Sequence, residues 1–175
     1  MLKPIDTVYN GYRFRSRLEA RVAVFFDALG IAYEYEKEGF ELPGAGRYLP
    51  DFWLPNSDCW VEVKAGTPSR EEDAKADRLC AYSERDVHFL TGDNFMDCWG
   101  ITSRFIAWKE DDEETRAIWR EEGSPHADTA GWPAPGYAPP AEVFCCSAVQ
   151  IMAASQIARS ARFEHGETPK VRATP

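Results

Sequence analysis

From Ser16 to Leu29 the apolar residues Leu18, Val22, Phe25, Phe26 and Leu29 recur at steps of three and four, and Gly30 follows them. That period marks one face of an α-helix, with glycine as its stop. The pattern then changes. Ile31, Tyr33 and Tyr35 alternate with Ala32, Glu34 and Glu36, the two-residue period of a strand, which Phe40 and Leu42 extend. Pro43-Gly44-Ala45-Gly46 reads as a turn. Two β-type runs, 47–54 and 59–64, follow it and flank Pro55-Asn56-Ser57-Asp58, the arrangement of a hairpin. Beyond Gly66, Thr67-Pro68-Ser69 opens a polar helix that runs to about Ser83. Ser69 and Glu72 have capping-box spacing, and Pro68 suits a first turn. Asp86 to Leu90 is then a short strand ended by Thr91-Gly92-Asp93.

The later pattern is thinner. It predicts a strand or amphipathic segment over 101–108 and a short helix over 113–121 bearing Ile118 and Trp119. A proline-rich linker over 123–140 precedes a last helix over about 142–163. Phe144, Ala148, Ile151 or Met152, and Ile157 are its candidates for docking on the core, and the tail past Gly166 is expected to be disordered. The order helix, three strands, helix, strand predicts an α/β fold, a mixed sheet flanked by helices. Its core spans 1–108, an acidic and then Pro/Gly-rich linker 109–141, and a helical extension with a tail 142–175. No internal repeat is visible.

Composition narrows the function classes. With 44% hydrophobic and 28% charged residues the chain is of the globular kind. No stretch reaches the roughly 20 uninterrupted apolar residues of a membrane span, and the start lacks the apolar core of a signal peptide. A cytoplasmic location without membrane association is the expectation. The five cysteines contain no Cys-x-x-Cys pair, so free thiols are expected. His88, His126 and His165 have no metal-ligand spacing. A net charge of −9 excludes a protein that coats nucleic acid nonspecifically, because such affinity comes mainly from Lys and Arg. Positive charge does gather locally at Arg13, Arg15, Arg17 and Arg21, interleaved with Tyr12 and Phe14. This group is either a patch for backbone phosphates or a plain solvated surface.

The chemistry lies in the hairpin. If Asn56-Ser57 form a two-residue turn, Trp53 faces Trp60 and Asp51 faces Glu62. Facing residues project from the same side of the sheet with Cβ atoms about 4.5 to 5.5 Å apart, so two carboxylates share one small site. Lys64 falls on the same face, and Phe52, Leu54, Val61 and Val63 fall on the other. Opposed carboxylates repel, and a divalent cation removes the conflict. Mg²⁺ takes a few hard oxygens from protein and leaves positions for water and phosphate. The plain alternative is an edge hairpin with solvent-facing acids, in which Lys64 only pairs with Glu62.

Pro50-Asp51, then Glu62-Val63-Lys64 after a short hairpin, with Glu19 in the preceding helix, resembles the PD-(D/E)XK nuclease superfamily. The resemblance covers about 9–91 and implies a restriction-endonuclease-like core. The implied activity is Mg²⁺- or Mn²⁺-dependent endonucleolytic cleavage of DNA, of a bacterial or phage DNA-processing kind. Asp51 and Glu62 are then metal ligands, the Val63 carbonyl a further ligand, and Lys64 the group acting on the nucleophile. Glu19 completes the set, as the first-helix acid does in resolvase-like branches. Ser16 and Glu19 equally have the spacing of a capping box, in which Glu19 serves only the first turn. Paired cuts in two strands would call for a homodimer. Two rival readings are a catalytically silent nuclease-fold module that binds DNA or protein, and an acidic inhibitor or assembly factor using 110–122.

Overall fold

The computed structural model describes residues 5–92, 99–103, 140–163 and 169. Strands β1 (Thr7–Tyr9) and β2 (Tyr12–Phe14) form a small hairpin ahead of α1 (Arg17–Leu29). Strand β3 (Glu34–Tyr35) follows, then a second hairpin of β4 (Phe40–Leu42) and β5 (Gly46–Tyr48). Strands β6 (Phe52–Leu54) and β7 (Cys59–Lys64), helix α2 (Arg70–Ser83), and strands β8 (Asp86–Thr91) and β9 (Trp99–Ser103) complete the described core. Helices α3 (Ala141–Phe144) and α4 (Ala148–Ser160) end it. The main sheet runs β3-β6-β7-β8-β9, antiparallel throughout except for the parallel pair β7/β8, across which α2 makes the connection. The molecule is therefore α/β with a mixed, open sheet.

Helix α1 starts where Ser16, in an extended conformation, accepts the Glu19 N–H on its hydroxyl. It stops at Gly30, whose φ of 71° is left-handed; Gly30 N–H reaches Asp27 O and Ile31 N–H reaches Phe26 O, closing the last carbonyls. Five consecutive residues, Val22 to Phe26, are fully buried, which a single-faced helix does not allow. The sheet covers one side of α1 and α4 covers another, so Ala23 and Val24 are also enclosed. Helix α4 turns Ile151, Ala154, Ser155 and Ala158 inward at steps of three and four. Met152 is exposed, so Ile151 is the docking residue of that pair.

The extension differs from one continuous helix over 142–163. It breaks at Cys145–Ser147, where Ser147 and Gln150 form a reciprocal capping box that starts α4 afresh. Likewise, Phe40–Leu42 does not prolong the strand at Tyr35. It pairs with Gly46–Tyr48 in a separate hairpin, and its Leu42 packs with Trp53, Trp60, Leu79 and Phe89 on the α2 side of the sheet. Pro68 lies just outside α2, because Ser69 is the cap. Of the segment expected over 101–108, the described part is the strand Trp99–Ser103. The helix expected over 113–121, the linker up to 139, His126, His165 and the tail past Gly166 lie outside the described residues, Pro169 excepted. Among the described residues no helix is long and apolar enough to cross a membrane.

The β1-β2 hairpin is an element that the charge-based reading of 12–17 passes over. Its turn, Asn10-Gly11, has φ of 47° and 82°, both left-handed as a two-residue I′ turn demands, and Asn-Gly is a strong sequence signal for it. Phe14 is buried against Tyr35 and Phe52, so it belongs to the core and not to a phosphate-binding surface.

Candidate active site

Strand pairing sets Phe52 opposite Val61, Trp53 opposite Trp60 and Leu54 opposite Cys59. The register is the one a two-residue turn predicts, but the connection is a four-residue loop, Pro55 to Asp58. Pro55 has no N–H to give to a ladder and Asp58 takes a left-handed φ of 51°, so the ladder ends at Leu54 and Cys59 and does not extend to Pro55 and Asp58. At the other end the ladder stops at Phe52, and the Asp51 side chain takes over as partner. Its Oδ2 accepts the Val63 N–H at 2.8 Å. Asp51 and Glu62 are 6% and 3% exposed, which rules out a solvent-facing edge hairpin.

Neither face of the sheet is purely chemical. Phe52, Leu54, Val61 and Val63 share one face, as expected, and pack with α1, but Trp53 and Trp60 are also buried, under α2 and the β4-β5 hairpin. Their rings lie 4.6 Å apart, and Lys37 sits 4.8 Å from the Trp53 ring, so they serve packing. The polar groups occupy only the end of this face, past the tryptophans.

At that end the charges are tightly grouped. Burial raises the Asp51 carboxyl well above its ordinary range, the neighbouring Glu62 charge raises it further, and the Val63 N–H and Arg15 offset part of this. Burial likewise raises Glu62, against the lowering effect of Lys64 and Tyr48. Glu62 Oε2 is 3.4 Å from Lys64 Nζ, whereas Glu62 Oε1 is buried and meets no hydrogen-bond donor among the described residues. Lys64 Nζ is also 3.3 Å from Glu72 Oε1. Burial alone would lower the Lys64 pKa, but the Glu62 and Asp51 charges outweigh it and the ammonium form is favoured.

Glu19 stands beside this group with both oxygens engaged. Oε1 accepts from the Ser16 hydroxyl at 2.7 Å; Oε2 accepts from the Arg15 N–H at 3.1 Å and the Tyr35 hydroxyl at 2.5 Å. Its charge still reaches Asp51. The Val63 carbonyl faces the Asp51 side of β7. Lys64 O accepts from Gly92 on the β8 side, and carbonyls alternate edges along a strand. Arg15 contacts the acid pair, with a guanidinium nitrogen 3.0 Å from Asp51 Oδ1. Arg13 is exposed and pairs with Asp6, Arg17 opens α1, and Arg21 is half-buried on the next turn. His88 is buried in β8 and is not among these groups.

Three contributors were not singled out from sequence. Burial raises the phenol pKa of Tyr48, from β5, and the neighbouring Glu62 charge raises it further. Glu72 has the spacing of a cap; it fills that role through Oε2 and also reaches Lys64 with Oε1. Glu36 binds Arg15. Of these, only Glu72 carried a sequence signal, the capping-box spacing.

A divalent ion can be tested against this donor set. Glu62 Oε1 is an orphaned, buried acceptor, and the strained proximity of two carboxylates is what a dication relieves. Among the described residues no three Asp, Glu, His or Cys groups form a ready cage. An ion of the Mg²⁺ kind, which keeps several waters, is suited to two carboxylates and one carbonyl. No family model, curated protein or solved structure matches this chain.

Proposed function

We propose that the chain is a metal-dependent endonuclease that hydrolyses DNA phosphodiester bonds, on a restriction-endonuclease-like core of the PD-(D/E)XK type. The observation that carries this reading is the pair of buried carboxylates, Asp51 and Glu62, with a Glu62 oxygen that meets no donor among the described residues and an ammonium beside the pair. A surplus of buried negative charge destabilises a fold unless a cation offsets it, and groups held at that cost mark functional sites. In the main sheet the order is α1, three antiparallel strands β3, β6 and β7, helix α2 and the parallel strand β8, with the β4-β5 hairpin inserted after β3, and this order supports the reading.

In this proposal Asp51, Glu62 and the Val63 carbonyl hold Mg²⁺ or Mn²⁺. The ion supplies Lewis acidity at the phosphoryl oxygen and lowers the pKa of an attacking water. Lys64, held between Glu62 and Glu72, orients that water and offsets charge accumulating on the phosphoryl oxygens. Glu19 has no free oxygen, so its part is to fix the Arg15 backbone and Tyr35 at the edge of the site. Arg15 is the side chain placed to meet a backbone phosphate.

A plasmid-nicking assay with Mg²⁺ or Mn²⁺ tests the reading. Asp51→Asn, Glu62→Gln and Lys64→Met are each expected to reduce nicking by about a hundredfold or more. Nicking that survives all three substitutions refutes the assignment. DNA binding without any metal-dependent cleavage identifies a silent binding module instead.

A further inference from the structure

Arg15 is fixed at its backbone and shared at its tip. Its N–H donates to Glu19 Oε2 and to the Tyr35 hydroxyl, both at 3.1 Å. Its guanidinium spans two acids, with NH2 3.0 Å from Asp51 Oδ1 and Nε 2.5 Å from Glu36 Oε1. Glu36 is placed with care. It has a left-handed φ of 46°, which a glutamate rarely adopts, and its N–H donates to the Asp51 carbonyl at 2.9 Å. Strain of this kind persists where surrounding contacts over-determine it, and here it aims the Glu36 carboxylate at Arg15.

Asp51 Oδ2 already accepts the Val63 N–H at 2.8 Å, whereas Oδ1 lies under the Arg15 guanidinium, so a divalent ion at Oδ1 competes with Arg15 and not with the backbone. The two ion-pair partners also differ in mobility: the Arg15 side chain is 56% exposed and that of Asp51 8%. The arginine can withdraw into water, and the aspartate cannot.

We infer that Arg15 is a resident counter-ion of the acid pair, which must leave Asp51 Oδ1 for a divalent ion to bind there and is kept at the rim by Glu36. The inference rests on the reading of Asp51 and Glu62 as metal ligands. It assigns Glu36 as a positioning residue that acts only through Arg15. A guanidinium freed from Asp51 and retained at the rim is available to a DNA phosphate. Metal and DNA binding then strengthen each other by the same factor, as linkage requires.

The experiment is Mn²⁺ titration calorimetry on the full chain without DNA, comparing the parent, Arg15→Gln, Glu36→Gln and the double variant. Circular dichroism confirms that each is folded. Arg15→Gln is expected to bind Mn²⁺ roughly tenfold more tightly, the order expected from removing a unit charge a few ångströms away. Glu36→Gln is expected to bind it several-fold more weakly, because Arg15 then commits to Asp51 alone. In the Arg15→Gln background the Glu36 substitution is expected to change nothing. Additive effects in this cycle mean that Glu36 acts on the ion directly, and they overturn the inference. An unchanged or weakened affinity in Arg15→Gln overturns it as well. If Arg15→Gln does not fold, an unchanged or tightened affinity in Glu36→Gln decides against it, and weakened affinity supports it. Mn²⁺ binding by the parent with these failures sinks the counter-ion inference alone. No Mn²⁺ binding by any folded form sinks the metal-ligand reading too.

Discussion

Replacing Asp51 by Asn should stabilise the metal-free protein while removing its proposed function. Asparagine keeps an oxygen to accept the Val63 N–H and loses the charge that opposes Glu62. Two unit charges about 5 Å apart at an effective dielectric near 20 repel by about 3 kcal/mol. The substitution also gives up the ion pair with Arg15, whose half-exposed guanidinium contributes at most about 1 kcal/mol. The net gain is about 2 kcal/mol, or roughly 4 to 8 °C in Tm for a chain of this size. The gain should depend on pH. Asp51 and Glu62 have native pKa values above their ordinary 3.8 and 4.5. A raised carboxyl binds its proton more tightly in the folded state. Its contribution is complete below the unfolded value and is lost as pH rises through the native one. The metal-free parent therefore loses stability as pH climbs from about 4 toward neutrality, and Asp51→Asn loses less. Tryptophan-monitored urea unfolding in chelator across this range reads both effects. Added Mg²⁺ should then stabilise the parent, by about 2.7 kcal/mol at a hundred times its dissociation constant, and leave the variant unmoved. An Asp51→Asn protein that is no more stable than the parent in chelator, or that gains equally from Mg²⁺, refutes the reasoning.

Tyr35→Phe removes a buried hydroxyl that donates to Glu19 and accepts from the Arg15 N–H; a loss of about 1 to 2 kcal/mol is expected in urea unfolding, and an unshifted midpoint contradicts the network. Ser147→Ala deletes one half of the capping box that restarts the chain as α4, and about 1 kcal/mol should be lost by the same measurement. No loss would mean that packing of Ile151, Ala154 and Ala158 alone holds that helix in place.

How far these features could be read beforehand varies with the range of the interaction that fixes them. Helix α1 and helix α2 were legible because Ser16, Gly30 and the Ser69-Glu72 pair are local signals that the fold uses as written. The Asp51-Glu62 apposition was legible for a related reason: strand alternation and the Trp53-Trp60 pair fix the register, and the register survives a longer loop than expected. The separate β4-β5 hairpin was not legible, since the period of Phe40 and Leu42 does not say which strand they join. That choice is made by Trp60, against which Phe40 packs edge-on. Tyr48 reaches the site through this hairpin and Glu36 through the pairing of Tyr35 with Phe52, which sets it beside Asp51; spacing along the chain could not have nominated either. The break before α4 was hidden because Glu142 to Phe163 keeps a helical apolar period across it, although Ser147 and Gln150 offered the capping signature. Glu19 shows the opposite difficulty. Its two candidate roles share one spacing, and only the donors around its oxygens separate them.

The most direct measurement is anomalous diffraction from crystals soaked in Mn²⁺. The account predicts one peak between Asp51 and Glu62, about 2.1 Å from an oxygen of each, with Arg15 withdrawn from Asp51. Crystals that show no peak there, or an ion bound without either carboxylate, would contradict it.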